Sequence, residues 1–221
     1  MTILLLHALP LDPRMWEPQR AALSGHEVVA PRLYGRGKRI EGWAREILAE
    51  VSDELVVVGA SMGGYCGLEI VRQAPERVRG LLLVGSRVEA DSPERREGRA
   101  ATIALIRERG AQGLWEDMRP KLFPDAAPLR AVAFARQIAL EQRPEELVAV
   151  VEGIRDRRDS TDVVAGFDRP VLFAAGTSDS FVSPSEAPPS VEAKAFETGH
   201  LPSLERPDEF DAVLTDFLAR V

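Results

Sequence analysis

The sequence predicts an α/β protein built on a doubly wound, mostly parallel sheet with a helical insertion. Three observations carry that prediction. Short runs rich in Val, Ile and Leu recur along the chain, several of them continuously apolar, as strands covered on both faces read. Between them lie segments whose apolar residues repeat at helical spacing. One long block then breaks the alternation and holds helical text alone.

The elements follow in order. "TILLLHA" (2–8) is the first strand, followed by a helical segment around Pro18–Leu23 and a second strand, "EVVAPRL" (27–33). A helix over Ile40–Val51 places Ile40, Trp43, Ile47, Leu48 and Val51 on one stripe. "ELVVVGA" (54–60) is a strand running straight into a helix over Gly63–Ala74, and "GLLLVGS" (80–86) is the fourth strand. "PVLFAAG" (170–176) and "VEAKAFE" (191–197) complete the sheet, separated by the proline-rich loop "SPSEAPPS" (183–190). A last helix, Pro207–Val221, carries Phe210, Val213, Leu214, Phe217 and Leu218 at the 3.6-residue period. Such alternation implies right-handed crossovers between parallel strands.

The insertion spans residues 87–165, so that residues 1–86 and 166–221 form the sheet-bearing unit. Its text reads "SPERREGRAATIALIRERG", "AQGLWEDMRPKLF", "PLRAVAFARQIAL" and "RPEELVAVVEGIRDR". Ser92-Pro93-Glu94 and Arg143-Pro144-Glu145 are helix starts with proline in the first turn. The block is too apolar for a disordered linker.

Composition narrows the function. The chain has 221 residues, 45% hydrophobic and 29% charged, enough for one domain with a buried core. A net charge of -7 argues against a nucleic-acid partner, which needs a clustered basic face. The runs "RVRG", "ERREGR" and "RDRRD" are interleaved with acids and read as solvated mixed-charge surface. The single cysteine, Cys66, excludes an intrachain disulfide and reads as a small core residue. "MTILLL" is too short and lacks the basic flank for a signal peptide, and no window reaches the roughly 18 apolar residues of a membrane span. The expectation is a cytoplasmic protein with no membrane partner, no metal and no cofactor; the sequence carries no mark of oligomeric state.

The stretch "LVVVGASMGGYCGLEIV" (55–71) leaves a buried strand, turns on a serine and enters a helix at once. "GASMG" fits Gly-x-Ser-x-Gly, in which Ser61 is either a turn residue or a nucleophile on a strained corner. Side chains at Gly59 and Gly63 would collide with the neighbouring strand and helix. The new helix also directs free N–H groups and its positive end beside the serine. A serine hydroxyl needs a base. Of the three histidines, His26 lies in a loop before a strand and His7 ends the first strand. His200, in "FETGHLPSLERP", sits on a loop at the strands' carboxyl edge, the edge that carries Ser61. An acid must orient that base. Asp179, in "VLFAAGTSDSFV", stands at the same edge, whereas Asp168 precedes its strand. After "GLLLVGS" the chain offers Ser86 and Arg87 instead of an acid. The candidate order is Ser61, Asp179, His200. A nucleotide-binding reading fails, because "GASMGG" lacks both the Gly-x-Gly-x-x-Gly spacing and a phosphate-loop lysine.

Order, corner and fold together resemble the α/β-hydrolase superfamily over essentially the whole chain, most specifically at "HALP" with the following Trp16, at "GASMGG" and at "GTSDSFV…TGHLPSLERPDEFDAVLTDFL". Within it the chain is similar to small cap-bearing esterases and lactonases, such as 3-oxoadipate enol-lactonase and the pimeloyl-carrier-protein ester esterase. The resemblance implies an α/β-hydrolase fold with residues 87–165 as a cap, nucleophile Ser61, acid Asp179 and base His200. It also implies an oxyanion hole formed by the backbone N–H groups of Leu9 and Met62. The family's usual His-Gly after the first strand is His7-Ala8 here. The implied activity is hydrolysis of a small-molecule carboxylic ester or lactone through an acyl-enzyme. Related families with the same fold cleave carbon–carbon bonds, form peracids or split hydroxynitriles, and non-catalytic members bind ligands. Trp16 and Phe181 follow strand ends near the candidate triad and, with Trp115 and Phe123, are candidate substrate-binding residues; Met15, Met118 and Phe134 are further apolar candidates. No basic cluster stands in those loops, so a largely apolar acyl group is expected.

Overall fold

The computed structural model describes residues 1–221. Six parallel strands form one sheet: β1 (Thr2–Leu6), β2 (Glu27–Val29), β3 (Leu55–Ala60), β4 (Val78–Val84), β5 (Val171–Gly176) and β6 (Glu192–Phe196), in spatial order β2-β1-β3-β4-β5-β6. The continuously apolar runs are the central strands, and β1 and β3 are buried along their whole length. β2 is the exposed edge and stops at Val29, earlier than the run "EVVAPRL" predicts, because Pro31 has no N–H to extend the ladder. β4 begins two residues before its apolar run, at Val78.

Helices cover both faces. α1 (Ile40–Glu50) and α2 (Met62–Gln73) pack against each other on the face where Val57, Leu81 and Leu6 lie closest to Gly67 of α2. On the other face Phe217 of the C-terminal helix α8 (Pro207–Leu218) lies over Gly80, whose neighbour Leu81 points the opposite way. Trp16 packs on Phe210 of α8, its ring centroid 6.1 Å away. Trp16 belongs to a 3-10 segment, Pro13–Arg20, where the sequence suggests a helix around Pro18–Leu23. Asp12 caps the start of that segment and Pro18 sits inside it, so the tighter winding begins earlier.

Between β4 and β5 the chain carries only helices: α3 (Pro93–Leu122), α4 (Leu129–Leu140), α5 (Pro144–Arg155) and α6 (Thr161–Gly166). α3 is two helical stretches joined at Gly110, whose φ of 63° and ψ of -155° break the helix where the sequence text changes. Pro93 and Pro144 stand in the first turns of α3 and α5, as their sequence signals require.

The strand order reverses beside β1, which has β2 on one side and β3 on the other. In such sheets a crevice opens beyond the carboxyl ends of the strands at that point. β1 and β3 therefore deliver their following loops to one place.

Candidate active site

Ser61 joins β3 to α2 with φ 51° and ψ -112°, a backbone conformation that L-residues rarely adopt. Its surroundings hold it there. The Ser61 N–H donates to the Val84 carbonyl at 2.7 Å, and its own carbonyl accepts from the Gly64 N–H at 2.9 Å. The buried Ser86 hydroxyl donates to that same carbonyl at 3.0 Å, tying the end of β4 to the corner. A Cβ at Gly59 would lie 2.5 Å from the Gly64 Cα, and one at Gly63 would lie 2.1 Å from the Leu6 carbonyl oxygen. Bare backbone is what lets α2 start against β1 and β3. In the sequence Ser86 marks only the lack of an acid after the fourth strand; its bond to the corner has no local pattern to reveal it.

Asp179, beyond β5, and His200, beyond β6, form a buried pair with Oδ2 and Nδ1 2.7 Å apart. The other carboxylate oxygen of Asp179 accepts the N–H groups of Phe181 at 2.7 Å and Val182 at 3.2 Å, which fixes the carboxylate plane. His200 is fixed from three sides. Its backbone N–H donates to the Leu122 carbonyl at the end of α3, 2.9 Å away. The Phe181 ring lies 4.7 Å from the imidazole. Gly85, with φ 58°, closes the third side: a Cβ there would lie 2.9 Å from the imidazole Cε1 and 3.2 Å from Asp179 Oδ2.

Glu205, in the short helix α7 (Pro202–Glu205), lies behind the histidine. Its carboxylate accepts the N–H groups of Gly199 at 3.1 Å and Leu201 at 3.4 Å, the residues on either side of His200. Burial pushes the Glu205 pKa up, against the pull of those N–H groups. The sequence offered only its spacing in "GHLPSLE" as a signal.

The loop after β1 is organised by His7. Its Nε2 accepts the Leu33 N–H at 2.9 Å and its Nδ1 lies 3.2 Å from the Ala8 carbonyl, so the proton sits on Nδ1. Burial lowers the His7 pKa to about 4, which keeps the ring neutral near pH 7. The buried Leu9 that follows has an N–H with no partner within the chain. Met62 opens α2, where the first N–H groups of a helix lack intrahelical acceptors. His26 is exposed. Cys66 is buried, and burial raises its thiol pKa, so it is inert as a nucleophile. No group of three or more His, Cys, Asp and Glu side chains is gathered as metal ligands, and no helix is long and apolar enough to cross a membrane.

Ser61, His200, Leu9 and Phe181 line one cavity of about 380 Å³. Met118 joins them, whereas Trp16, Trp115 and Phe123 are buried outside its wall. Trp115 and Phe123 instead pack on each other at 6.4 Å between centroids. The expectation of a largely apolar pocket rests on the loops, which carry no basic cluster, but the cavity also takes cations from a helix: Arg95, Arg99 and Lys121 of α3 line it, together with Arg87. "ERREGR" looks evenly mixed along the chain, but the helix sorts it. Arg95 and Arg99, four apart, share the cavity face, while Arg96 turns away to pair with Asp156 at 3.0 Å.

The model of the alpha/beta hydrolase family matches residues 3–213. The chain belongs to the alpha/beta hydrolase family. It is 29% identical to the pimeloyl-[acyl-carrier protein] methyl ester esterase of Aromatoleum aromaticum, over 97% of this chain and 96% of that protein. Among solved structures it superposes on a thermophilic esterase from Thermogutta terrifontis, in its malate-bound form, with a TM-score of 0.91 and 28% identity over 99% of this chain and 89% of that one. It also superposes on the enol-lactonase of Burkholderia xenovorans LB400, with a TM-score of 0.85 and 25% identity over 99% of this chain and 91% of that one. An all-parallel six-stranded sheet with its helical insertion is thus the fold of a hydrolase family, with esterases and a lactonase as neighbours.

Proposed function

We propose that the chain is a serine hydrolase that cleaves a small-molecule carboxylic ester or lactone through an acyl-enzyme. The observation that carries the reading is the buried Asp179–His200 pair at 2.7 Å, opening onto the same cavity as a serine held at φ 51°. Esterase and lactonase relatives support the choice of bond.

In this reading His200 Nε2 takes the Ser61 proton as Oγ attacks the carbonyl carbon. Asp179 keeps the other ring proton on Nδ1 and stabilises the imidazolium that forms. The carbonyl oxygen becomes an oxyanion facing the N–H groups of Leu9 and Met62, each worth about 3–4 kcal/mol of barrier. His200 then returns the proton to the departing alkoxide, leaving the acyl group on Ser61. Water, deprotonated by His200, attacks the acyl carbon and releases the acid and free Ser61. No cofactor is needed.

Residues 87–165 act as the cap: α3 supplies Arg95, Arg99, Thr102, Met118 and Lys121 to the wall of the cavity that Ser61 lines, and its last carbonyl holds the His200 loop. Phe181 is the aromatic residue in contact with both the imidazole and the cavity. Trp16, Trp115 and Phe123 serve packing in this assignment.

Fluorophosphonate labelling and p-nitrophenyl ester hydrolysis test the assignment. Ser61→Ala should abolish labelling and lower kcat by about 10⁴-fold or more. Asp179→Asn should keep the fold and lose roughly 10³- to 10⁴-fold. Undiminished turnover in Ser61→Ala refutes the role.

A further inference from the structure

We propose that the wall of this cavity formed by α3 is an anion subsite, which selects esters or lactones bearing a carboxylate remote from the reacting carbonyl. The ester part of that statement rests on the serine-hydrolase reading; the anion subsite stands on its own observations.

A chain with a net charge of -7 should repel an anionic ligand, yet the cavity runs against that charge. It is lined by four permanent cations, Arg87, Arg95, Arg99 and Lys121, and one carboxylate, Asp91. Asp91 does not offset them. It is fully buried and serves two guanidinium groups, Arg157 at 2.7 Å and Arg99 at 3.1 Å, so a positive charge is left over in that cluster alone. Arg87 is held by Glu186 and by the Phe181 carbonyl, and Lys121 by Asp117 at 2.8 Å. The Arg95 guanidinium has neither an ion-pair nor a hydrogen-bond partner, although it lines the cavity; only its backbone N–H is engaged, by Ser92.

The arrangement has direction. Arg95, Arg99 and Thr102 stand at i, i+4 and i+7 of α3 and form a polar stripe down the cavity. Ser61, Leu9 and His200 also line the cavity, from the ends of β3, β1 and β6. A ligand held by its carbonyl at Ser61 therefore sends its other end towards guanidinium donors. Guanidinium groups match carboxylates in planar, two-point geometry, and such charge-assisted bonds are the strong ones. A volume of about 380 Å³ suits a small diacid derivative.

The test compares two p-nitrophenyl esters of one shape: mono-p-nitrophenyl glutarate, which ends in a carboxylate, and p-nitrophenyl 5-methylhexanoate, which ends in an isopropyl group. The carboxylate ester should have the larger kcat/KM by about tenfold or more, and the ratio should shrink as sodium chloride is raised. Arg95→Gln, a substitution on an exposed helix surface, should lower the ratio by about tenfold. A wild-type ratio of one or below, or a ratio indifferent to Arg95→Gln, overturns the subsite and leaves the serine-hydrolase reading standing. Calorimetry of monomethyl glutarate with Ser61→Ala protein gives a second readout that needs no turnover. Binding weakened about tenfold by adding Arg95→Gln supports the subsite even if wild-type protein hydrolyses neither ester and resists fluorophosphonate, an outcome that would overturn the ester chemistry alone. No binding to Ser61→Ala overturns the subsite.

Discussion

The two walls of the cavity are made by different means. On the sheet side, position is set by backbone: strand ends, a corner at positive φ, and glycines at 59, 63 and 85 where a single added carbon meets neighbouring atoms at 2.1–2.9 Å. On the α3 side it is set by long side chains on a helix, several of them exposed, beside a glycine at 98 with open space around it. The first wall has almost no freedom to change without refolding. The second can change its chemistry residue by residue. In the proposed function, the first wall holds the groups that break a bond and the second the surface that chooses which molecule is broken.

Three substitutions sharpen that contrast. Gly63→Ala should have the largest effect, because its methyl would lie 2.1 Å from the Leu6 carbonyl oxygen, a backbone atom that cannot move away. A loss of roughly 3 kcal/mol or more is expected in urea denaturation; an unchanged midpoint would mean the sheet wall is softer than described.

His7→Gln comes next and is read through pH. The native pKa is depressed to about 4 from an ordinary 6.5, so below neutrality the unfolded chain takes up a proton that the folded chain refuses. The His7 share of stability is fully present above pH 6.5 and is lost as pH falls towards 4. Between pH 7 and 5 this share amounts to about 2 kcal/mol. The wild-type protein should lose that much more than His7→Gln over the interval, and parallel pH profiles would contradict the assignment.

Gly98→Ala, on the other wall, should raise stability by about 0.5–1 kcal/mol, since an alanine in open helical space gains propensity and meets nothing. A thermal melt that drops instead would show α3 to be as constrained as the sheet rim.

The same contrast explains what could be read from the chain alone. Apolar runs and the strand-to-helix corner expose the sheet and Ser61 directly, because both are local in sequence. His200 and Asp179 follow from asking which residues of the right type stand at the same sheet edge. Ser86, Gly85 and Glu205 are not legible in that way: each matters only through contact with a residue distant in sequence. Trp16, Trp115 and Phe123 show the opposite difficulty. Large aromatics near strand ends or on inserted helices have the composition of a pocket and the burial of a core, and only packing separates the two. Arg95 and Arg99 were hidden by averaging, since a run of mixed charge looks neutral until helical periodicity assigns each residue a face.

The hydrogen bond from the His200 N–H to the Leu122 carbonyl makes the two walls less separable than their chemistry suggests. An engineer who exchanges the inserted helices for those of another hydrolase, to acquire its preferences, also removes the peg on which the imidazole loop hangs. Grafts that end before the last turn of α3 would keep that peg, so the useful splice point lies within the helix and not at the strand end.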